Sequence, residues 1–437
     1  VKYSIVTFGC RVNQADSLGF EEQLLASGAT AASAETADLV VVNTCSVTAS
    51  ADQGARQTIR RIARVNPEAQ ILVTGCYATR ERDQVADLPG VSAVVANDDK
   101  PKLLSFVRRP SVEPSSAEHS STAERFGEGD GSCGAVVEPG VAGRTAFTLR
   151  VQTGCAEPCT YCIIPETRGA PRSVPITQVV AEVRRIQAAG FREIALTGVH
   201  LGSYGRDLGE DATLVGLLRR LRDEWSGRRE PELLFRISSL EPMDCTPELV
   251  ALVRESACVA PHFHLPLQHA SPTILSAMRR PYDLAYYAAL VDGIRRDIPH
   301  ASIGSDLIVG FPGESDADAE QLAAYLEGSP LTHLHVFPYS DRPGTPASRM
   351  PNRPSGVVVK DRGARLRRIG AELSARFLAS QVGLVHRGLT LEDGTLVVTG
   401  NYLKVRVPPG RPRNQWVDVR VLSAASGLTG EVVGVRS

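Results

Sequence analysis

Phe147-Thr148-Leu149-Arg150-Val151-Gln152-Thr153-Gly154-Cys155-Ala156-Glu157-Pro158-Cys159-Thr160-Tyr161-Cys162 reads as a strand that delivers three cysteines on a single loop. The Cys-x-x-x-Cys-x-x-Cys spacing gathers three thiolates from eight residues, close enough to wrap one [4Fe–4S] cluster. Such clusters are usually held by four cysteines, so three leave one iron open, as chemistry requires and plain electron transfer does not. A structural zinc site lacking its fourth ligand is the bland alternative, but zinc sites draw on paired Cys-x-x-Cys units. Chance is poor where Cys is sparse, with 9 in 437 residues.

Working outward, the loop opens an α/β series. A helix over Ile176–Ala189, closed by Gly190, leads to a strand over Glu193–Gly198. A helix over Leu214–Glu224 leads to a strand over Leu233–Ser239. Further strands are expected over His262–Leu267, Ser302–Gly310 and His333–Tyr339, with helices over Pro247–Arg254, Pro272–Arg279, Leu284–Arg296 and Ala317–Gly328. Six βα units predict a barrel with fewer than eight strands, partly open on one side, whose active end lies at the strand C-termini.

Before the loop, residues 1–109 alternate in the same way. Asp38-Leu-Val-Val-Val-Asn43 is a continuous apolar run, the mark of a buried parallel strand. It lies between a strand at Ser4–Phe8 with a helix over Ser17–Ser27, and a helix over Ser50–Val65 with a strand at Gln70–Gly75. A helix near Thr79–Asp87 and a strand at Val91–Ala96 complete a doubly wound α/β domain. Its first three strands end at Cys10, Cys45 and Cys76. Ligands of open α/β sheets bind outside the strand carboxyl ends, so these thiols are expected to converge on a second cluster, again with an open iron. The competing reading is that Cys is a common small buried hydrophobe, yet all three sit at turn-forming exits.

From Arg108 to Gly143 the composition turns to Pro, Ser, Glu and Gly without periodicity, which predicts a flexible linker at 110–143 containing an incidental Cys133. The barrel then occupies 144–375, ending in a basic helix from about Gly356 to Ser380. From His386 short strands alternate with turns, so 376–437 is expected to be a small β-barrel of the nucleic-acid-binding kind. Tyr402 and Trp416 are placed either to stack on bases or to fill its core.

Hydrophobic content of 43% with 22% charged residues describes an ordinary globular chain, and no apolar run approaches the ~18 residues of a membrane span. The start reads as a strand entering a turn rather than a signal peptide, and the odd cysteine count fits a reducing compartment, so the expected location is the cytoplasm with no membrane partner. A net charge of −1 hides a basic end that includes Arg362, Arg365, Arg367, Arg368, Arg406, Arg411 and Arg413. That asymmetry fits a polyanionic partner or a solvated helix face.

With these residues in view, the chain resembles the radical S-adenosylmethionine (SAM) methylthiotransferases along nearly its whole length. The Cys155/Cys159/Cys162 loop with Tyr161 resembles their radical SAM signature. Gly9-Cys10-Arg-Val-Asn-Gln, Asn43-Thr-Cys45-Ser-Val-Thr and Thr74-Gly-Cys76-Tyr-Ala resemble their amino-terminal cluster domain. His264-Leu-Pro-Leu-Gln-His, Asp306-Leu-Ile-Val-Gly-Phe-Pro-Gly-Glu and Phe337-Pro-Tyr-Ser with Arg342-Pro-Gly-Thr also match, and the terminal barrel resembles the family's TRAM domain.

The resemblance implies two [4Fe–4S] clusters, with SAM as radical source and methyl donor. SAM would chelate the open iron of the Cys155/Cys159/Cys162 cluster, and one electron would cleave it to methionine and a 5′-deoxyadenosyl radical. The Cys10/Cys45/Cys76 cluster would hold or supply the sulfur. Thr197 and Gly198 resemble the platform for the SAM amino group. Ser238, Ser239 and Glu241 are expected near ribose or the methionyl moiety, and Gln268 and Gly310 around adenine and ribose. Each has an alternative as a strand cap or turn residue. An electron donor such as flavodoxin or ferredoxin and a sulfur source complete the implied partners.

The opening Gly9-Cys10-Arg-Val-Asn-Gln-Ala-Asp-Ser resembles the bacterial branch acting on N-threonylcarbamoyladenosine beside the tRNA anticodon, more than the isopentenyladenosine branch. The branch acting on a ribosomal-protein aspartate tends to a Gly-Cys-Pro-Lys-Asn opening, which is absent. Outside this class stand an RNA-binding iron–sulfur redox sensor without catalysis and a radical SAM methylase without sulfur insertion.

Overall fold

A computed structural model describes residues 1–107, 145–209, 212–225 and 232–436. The expected linker and Cys133 lie outside the described residues.

The first unit is a parallel five-stranded sheet in the order β2-β1-β3-β4-β5, with β1 Lys2–Thr7, β2 Thr30–Ala31, β3 Leu39–Thr44, β4 Gln70–Gly75 and β5 Val91–Val95. Alternation along β3 and β4 feeds two cores. Leu39, Val41 and Leu72 pack with Phe20 and Leu24 of the helix Arg11–Ala26. Val40, Val42, Ile71 and Val73 pack with Ala55, Ile59 and Ile62 of the helix Ala49–Val65. A strand apolar on both faces needs a helix on each, which is why β3 reads as one hydrophobic run. The strand order reverses between β1 and β3, and the chain leaves those strands through Cys10 and Cys45. A topological switch point is where such sheets bind ligands.

Two boundaries differ from expectation. The first helix begins at Arg11, not Ser17, because its first turns carry buried polar side chains, Asn13 and Asp16, that no apolar periodicity marks. The helix expected at Thr79–Asp87 is two short ones, Cys76–Arg80 and Arg82–Ala86, broken at Glu81, whose φ of −115° and ψ of 51° leave the helical region.

The second unit is an arc of six parallel strands. β6 Ala146–Arg150, β9 Glu193–Thr197 and β10 Leu234–Ile237 form one half; β11 His262–His264, β12 Ser302–Val309 and β13 His333–Pro338 form the other. The short pair β7 Gln152–Thr153 and β8 Arg172–Ser173 brackets the three-cysteine loop. Bonds of Phe235 to Cys258 and Ala260 join the halves between β10 and β11. Among the described residues β6 and β13 are not paired, so the barrel is open there. The helix Arg11–Ala26 covers β6, and the helix Gly356–Ser380 covers β13.

The last unit is a closed five-stranded barrel ordered β14-β15-β16-β18-β17, with β14 Val385–Leu391, β15 Leu396–Thr399, β16 Lys404–Arg406, β17 Trp416–Ser423 and β18 Leu428–Val435. Phe377, from the long helix, enters its core. Trp416 is only 2% exposed and packs with Leu234, Ala260 and Leu389, its Nε1–H donating to the Glu232 carbonyl at 3.1 Å. Base stacking is therefore excluded for Trp416, which is interface core. The described helices include none long and apolar enough to cross a membrane.

Candidate active site between two cysteine triplets

Cys10 caps the helix Arg11–Ala26, Cys45 follows β3, and Cys76 opens the helix after β4. Cys45 and Cys76 are buried, whereas Cys10 is exposed to a cavity. Gly9, at φ +91°, lets the β1 exit approach β3: a Cβ there would lie 2.4 Å from Cys45 Sγ. Burial pushes the Cys45 thiol up to about 12, with neighbouring Cys10 and Cys76 acting the same way. Burial also raises Cys76, but Arg168 and Lys100 outweigh it and hold this thiol below its ordinary value.

The second triplet has its own charged surroundings. Cys155 accepts from the Glu157 N–H at 3.4 Å and faces His200 Nδ1 at 3.9 Å, while His200 Nε2 lies 2.7 Å from Asp244 Oδ2. Cys159 accepts from Arg280 Nη1 at 3.2 Å, and Arg280 also bonds Glu241 and the Tyr282 hydroxyl. Burial drives Cys162 up to about 12 and raises Cys159. Gly154, at φ +75°, is required because a Cβ would lie 2.0 Å from the Ala170 carbonyl oxygen.

The two triplets are joined by the helix Ile164–Arg168, two residues beyond Cys162. Its Arg168 donates to Asn13 Oδ1 at 2.5 Å and Asp16 Oδ2 at 3.3 Å, and faces Cys76 and Cys10. Asp16, 1% exposed, also takes Lys100 Nζ at 2.5 Å and Arg150 Nη1 at 2.6 Å. Asn97 adds a bond to the Thr167 carbonyl at 2.7 Å. Arg342 and Arg80 converge on Asp52 at 2.7 and 2.8 Å beside Cys45, fixing the loop after β13 to the first unit.

A cavity of about 900 Å³ runs from Cys10 through the barrel interior to the turn Asn401–Leu403 of the terminal barrel. Of the expected SAM-site residues, Thr197, Gly198, Ser238 and Ser239 line it. The buried Ser238 Oγ has no partner among the described residues, so a ligand hydroxyl or carboxylate would satisfy it. Glu241 is bound to Arg280 beside Cys159. Tyr161 packs against Ile274, Met278, Phe311 and Ala347, with its hydroxyl 3.5 Å from Arg280. Gln268, at φ 67°, pairs its backbone with β12 and is not among the cavity's lining residues. Gly310 lies elsewhere, in a groove of about 540 Å³ against Tyr339 and the helix Gly356–Ser380. Its N–H is taken up by Glu314, and Gly310 is not among the residues that line the larger cavity.

Several site residues escaped the sequence reading. His262, His264, His333 and His335 line one wall, and Asp306 Oδ1 accepts from His264 Nε2 at 2.9 Å and His335 Nδ1 at 3.0 Å. A His-x-His pair within a strand puts both rings on one face, a signal present in both His262–His264 and His333–His335. Tyr402 projects into the cavity, with the Arg236 guanidinium 4.6 Å from its ring centre. The basic helix is less available than its composition suggests: Arg362 pairs with Glu314 and Asp316, and Arg365 with Glu320.

The donor sets fit iron–sulfur clusters better than one zinc ion. A tetrahedral zinc with ~2.3 Å bonds needs sulfurs about 3.8 Å apart. Among the described residues no three of these sulfurs lie mutually within 4.8 Å, although each triplet is close enough to interact electrostatically. Thiols held protonated by burial ionise on binding a metal, and adjacent Arg and Lys compensate the anionic group that results.

Residues 2–96 match the uncharacterized protein family UPF0004, and residues 149–326 match the radical SAM superfamily. The chain is 33% identical to the threonylcarbamoyladenosine tRNA methylthiotransferase MtaB of Bacillus subtilis (strain 168), over 91% of this chain and 88% of that one. It is 33% identical to the tRNA-2-methylthio-N(6)-dimethylallyladenosine synthase of Thermobifida fusca (strain YX), over 100% and 92%. It is 32% identical to the ribosomal protein uS12 methylthiotransferase RimO of Roseiflexus castenholzii, over 100% and 97%. The radical S-adenosylmethionine methyltransferase TsrM of Kitasatospora setae, solved with cobalamin and a [4Fe-4S] cluster, shares the fold with a TM-score of 0.55 at 15% identity, over 79% of this chain and 74% of that one.

Proposed function

The chain belongs to the radical SAM methylthiotransferases, and from that premise we propose that it inserts a methylthio group at C2 of N-threonylcarbamoyladenosine beside the anticodon of tRNA. As a member of that family it is an enzyme that uses a [4Fe–4S] cluster and SAM, not a binding-only redox sensor.

The single observation that carries the reading is the cavity that reaches from Cys10 of the first triplet to the SAM-side residues Thr197, Gly198 and Ser238. Cys155, Cys159 and Cys162 hold the cluster at which bound SAM supplies radical chemistry. Cys10, Cys45 and Cys76 hold a second cluster as the sulfur station. Ser238 and Ser239 orient the bound SAM, and the barrel wall excludes water from the reacting atoms. Arg168 and Asp16 fix the distance between the two stations, because both triplets sit on elements tied to that pair.

Tyr77, held over Arg56, and the Asp52 contacts keep the sulfur station rigid on the sheet. The exposed cations Arg367, Arg368, Arg406 and Arg411 suit tRNA phosphates, and the terminal barrel, which begins at Val385 after the helix Gly356–Ser380 and not at the expected 376, is the RNA-binding, TRAM-like unit. A reductant such as flavodoxin or ferredoxin and a separate sulfur source, in a reducing cytoplasm, complete the cycle.

Relatives named for dimethylallyladenosine and for uS12 match almost as well, so identity alone does not choose the substrate. Arg11 after Cys10 favours the threonylcarbamoyl branch. Mass spectrometry of tRNA nucleosides from a deletion strain tests the choice. Loss of the methylthio form of threonylcarbamoyladenosine is expected; loss of the isopentenyl form alone overturns it.

A further inference from the structure

We infer that Arg11 is a carboxylate subsite in the cavity and reads the acidic side chain carried by the target base. The inference rests on the threonylcarbamoyladenosine reading and assigns a residue to it.

Arg11 directly follows Cys10 and lines the cavity. Its one described hydrogen bond runs from Nη2 to the Tyr402 hydroxyl at 3.5 Å, and among the described residues it joins no ion pair. The charges around it are otherwise settled. Asp306 is the single carboxylate among the lining residues, and His264 and His335 already hold it. The other lining guanidinium, Arg168, is committed to Asp16 and Asn13. One guanidinium with unused donors therefore remains beside the thiol at the sulfur station.

A guanidinium presents a planar fork that matches a carboxylate with two parallel bonds. A threonylcarbamoyl group ends in a carboxylate that is ionised at neutral pH, and burying it without a cation is costly. An isopentenyl group carries no charge and would cover Arg11 while giving it nothing to bind, so the same residue selects for one base and against the other. Tyr402 positions the fork. It sits in a left-handed turn at φ 66°, its ring held near Arg236 at 4.6 Å, which fixes the hydroxyl that Arg11 reaches.

The test measures binding of the cluster-loaded enzyme, by fluorescence anisotropy, to three anticodon stem-loop RNAs that differ at one base: adenosine, threonylcarbamoyladenosine, and its threonyl methyl ester. The wild type is expected to bind the acid about ten- to a hundredfold more tightly than the ester, from charge-assisted bonds. Arg11→Met should bring the acid-to-ester ratio to about one, and Arg11→Lys should keep part of it. An unchanged ratio in Arg11→Met, or equal loss on all three RNAs, overturns the subsite while leaving the substrate reading standing. A wild type that does not distinguish the acid from plain adenosine overturns both. Should Arg11→Met lose its iron, the wild-type ratio together with Arg11→Lys decides: equal binding of acid and ester by the wild type refutes the subsite.

Discussion

Arg168 donates to Asp16 across 3.3 Å, and through that contact the segment after the second cysteine triplet is bonded to the helix that follows Cys10. Asp16 is the shared anion of three buried or half-buried cations, Lys100, Arg150 and Arg168. Asp16→Asn removes the anion that all three share, which should cost about 3–5 kcal/mol in urea unfolding, the range for breaking a buried charge network from one side.

The same carboxylate sets an acid limit. Burial raises its pKa, but Lys100, Arg150 and Arg168 outweigh burial and hold it well below the ordinary 3.8. A depressed carboxylate contributes stability that is complete above the unfolded-state value and is lost as pH falls below it. From about pH 5 to pH 3 the wild type should therefore lose more stability than Asp16→Asn does; parallel pH profiles would refute the assignment.

His269 acts at milder acidity. It is fully buried, its Nδ1 accepts from the Ser271 N–H at 3.0 Å, and burial lowers its pKa to about 4. The folded state keeps it neutral while the unfolded chain protonates near 6.5, so stability falls as pH drops from about 6.5 towards 4. His269→Gln should flatten the urea midpoint over that window relative to wild type. An identical slope in both proteins would count against a neutral His269.

Gly9→Ala places a methyl group 2.4 Å from Cys45 Sγ at a φ of +91°. The first triplet should fail to assemble while the second is untouched. Iron after anaerobic reconstitution is expected to fall from about eight to about four per chain. Retention of the full iron complement would show that the first cluster does not depend on the close approach of Gly9 to Cys45.

Trp416→Ala removes the ring that seats the terminal barrel against Leu234 and Ala260. A loss of about 3–5 kcal/mol is expected, with proteolysis appearing first between the long helix and the barrel. Cleavage confined to other regions would place the anchoring elsewhere.

The layout was legible where chemistry is local. Asp38-Leu-Val-Val-Val-Asn43 announced a central parallel strand, and the sequence placed Cys10, Cys45 and Cys76 at successive strand ends, as the structure has them. Partnerships across the chain were not legible: Arg168 and Asp16 are 152 residues apart, and nothing near either marks the other. Asn43 at the end of an apolar run was a readable hint, since a buried amide needs partners, and it finds the Asn13 carbonyl and Ser17 Oγ. Trp416 shows the reverse case, where residue type left base stacking and core both open and burial against β10 decided its role. Gly310 likewise carried a turn signature whose place in a separate groove only the packing of Val359 reveals.

The most direct measurement compares the reconstituted wild type with a Cys10→Ala, Cys45→Ala, Cys76→Ala triple variant, each given SAM, dithionite and threonylcarbamoyladenosine-containing tRNA. Methylthiolated nucleoside is expected with the wild type, and 5′-deoxyadenosine without methylthiolated nucleoside from the variant. Methylthiolated product from the triple variant would contradict that expectation.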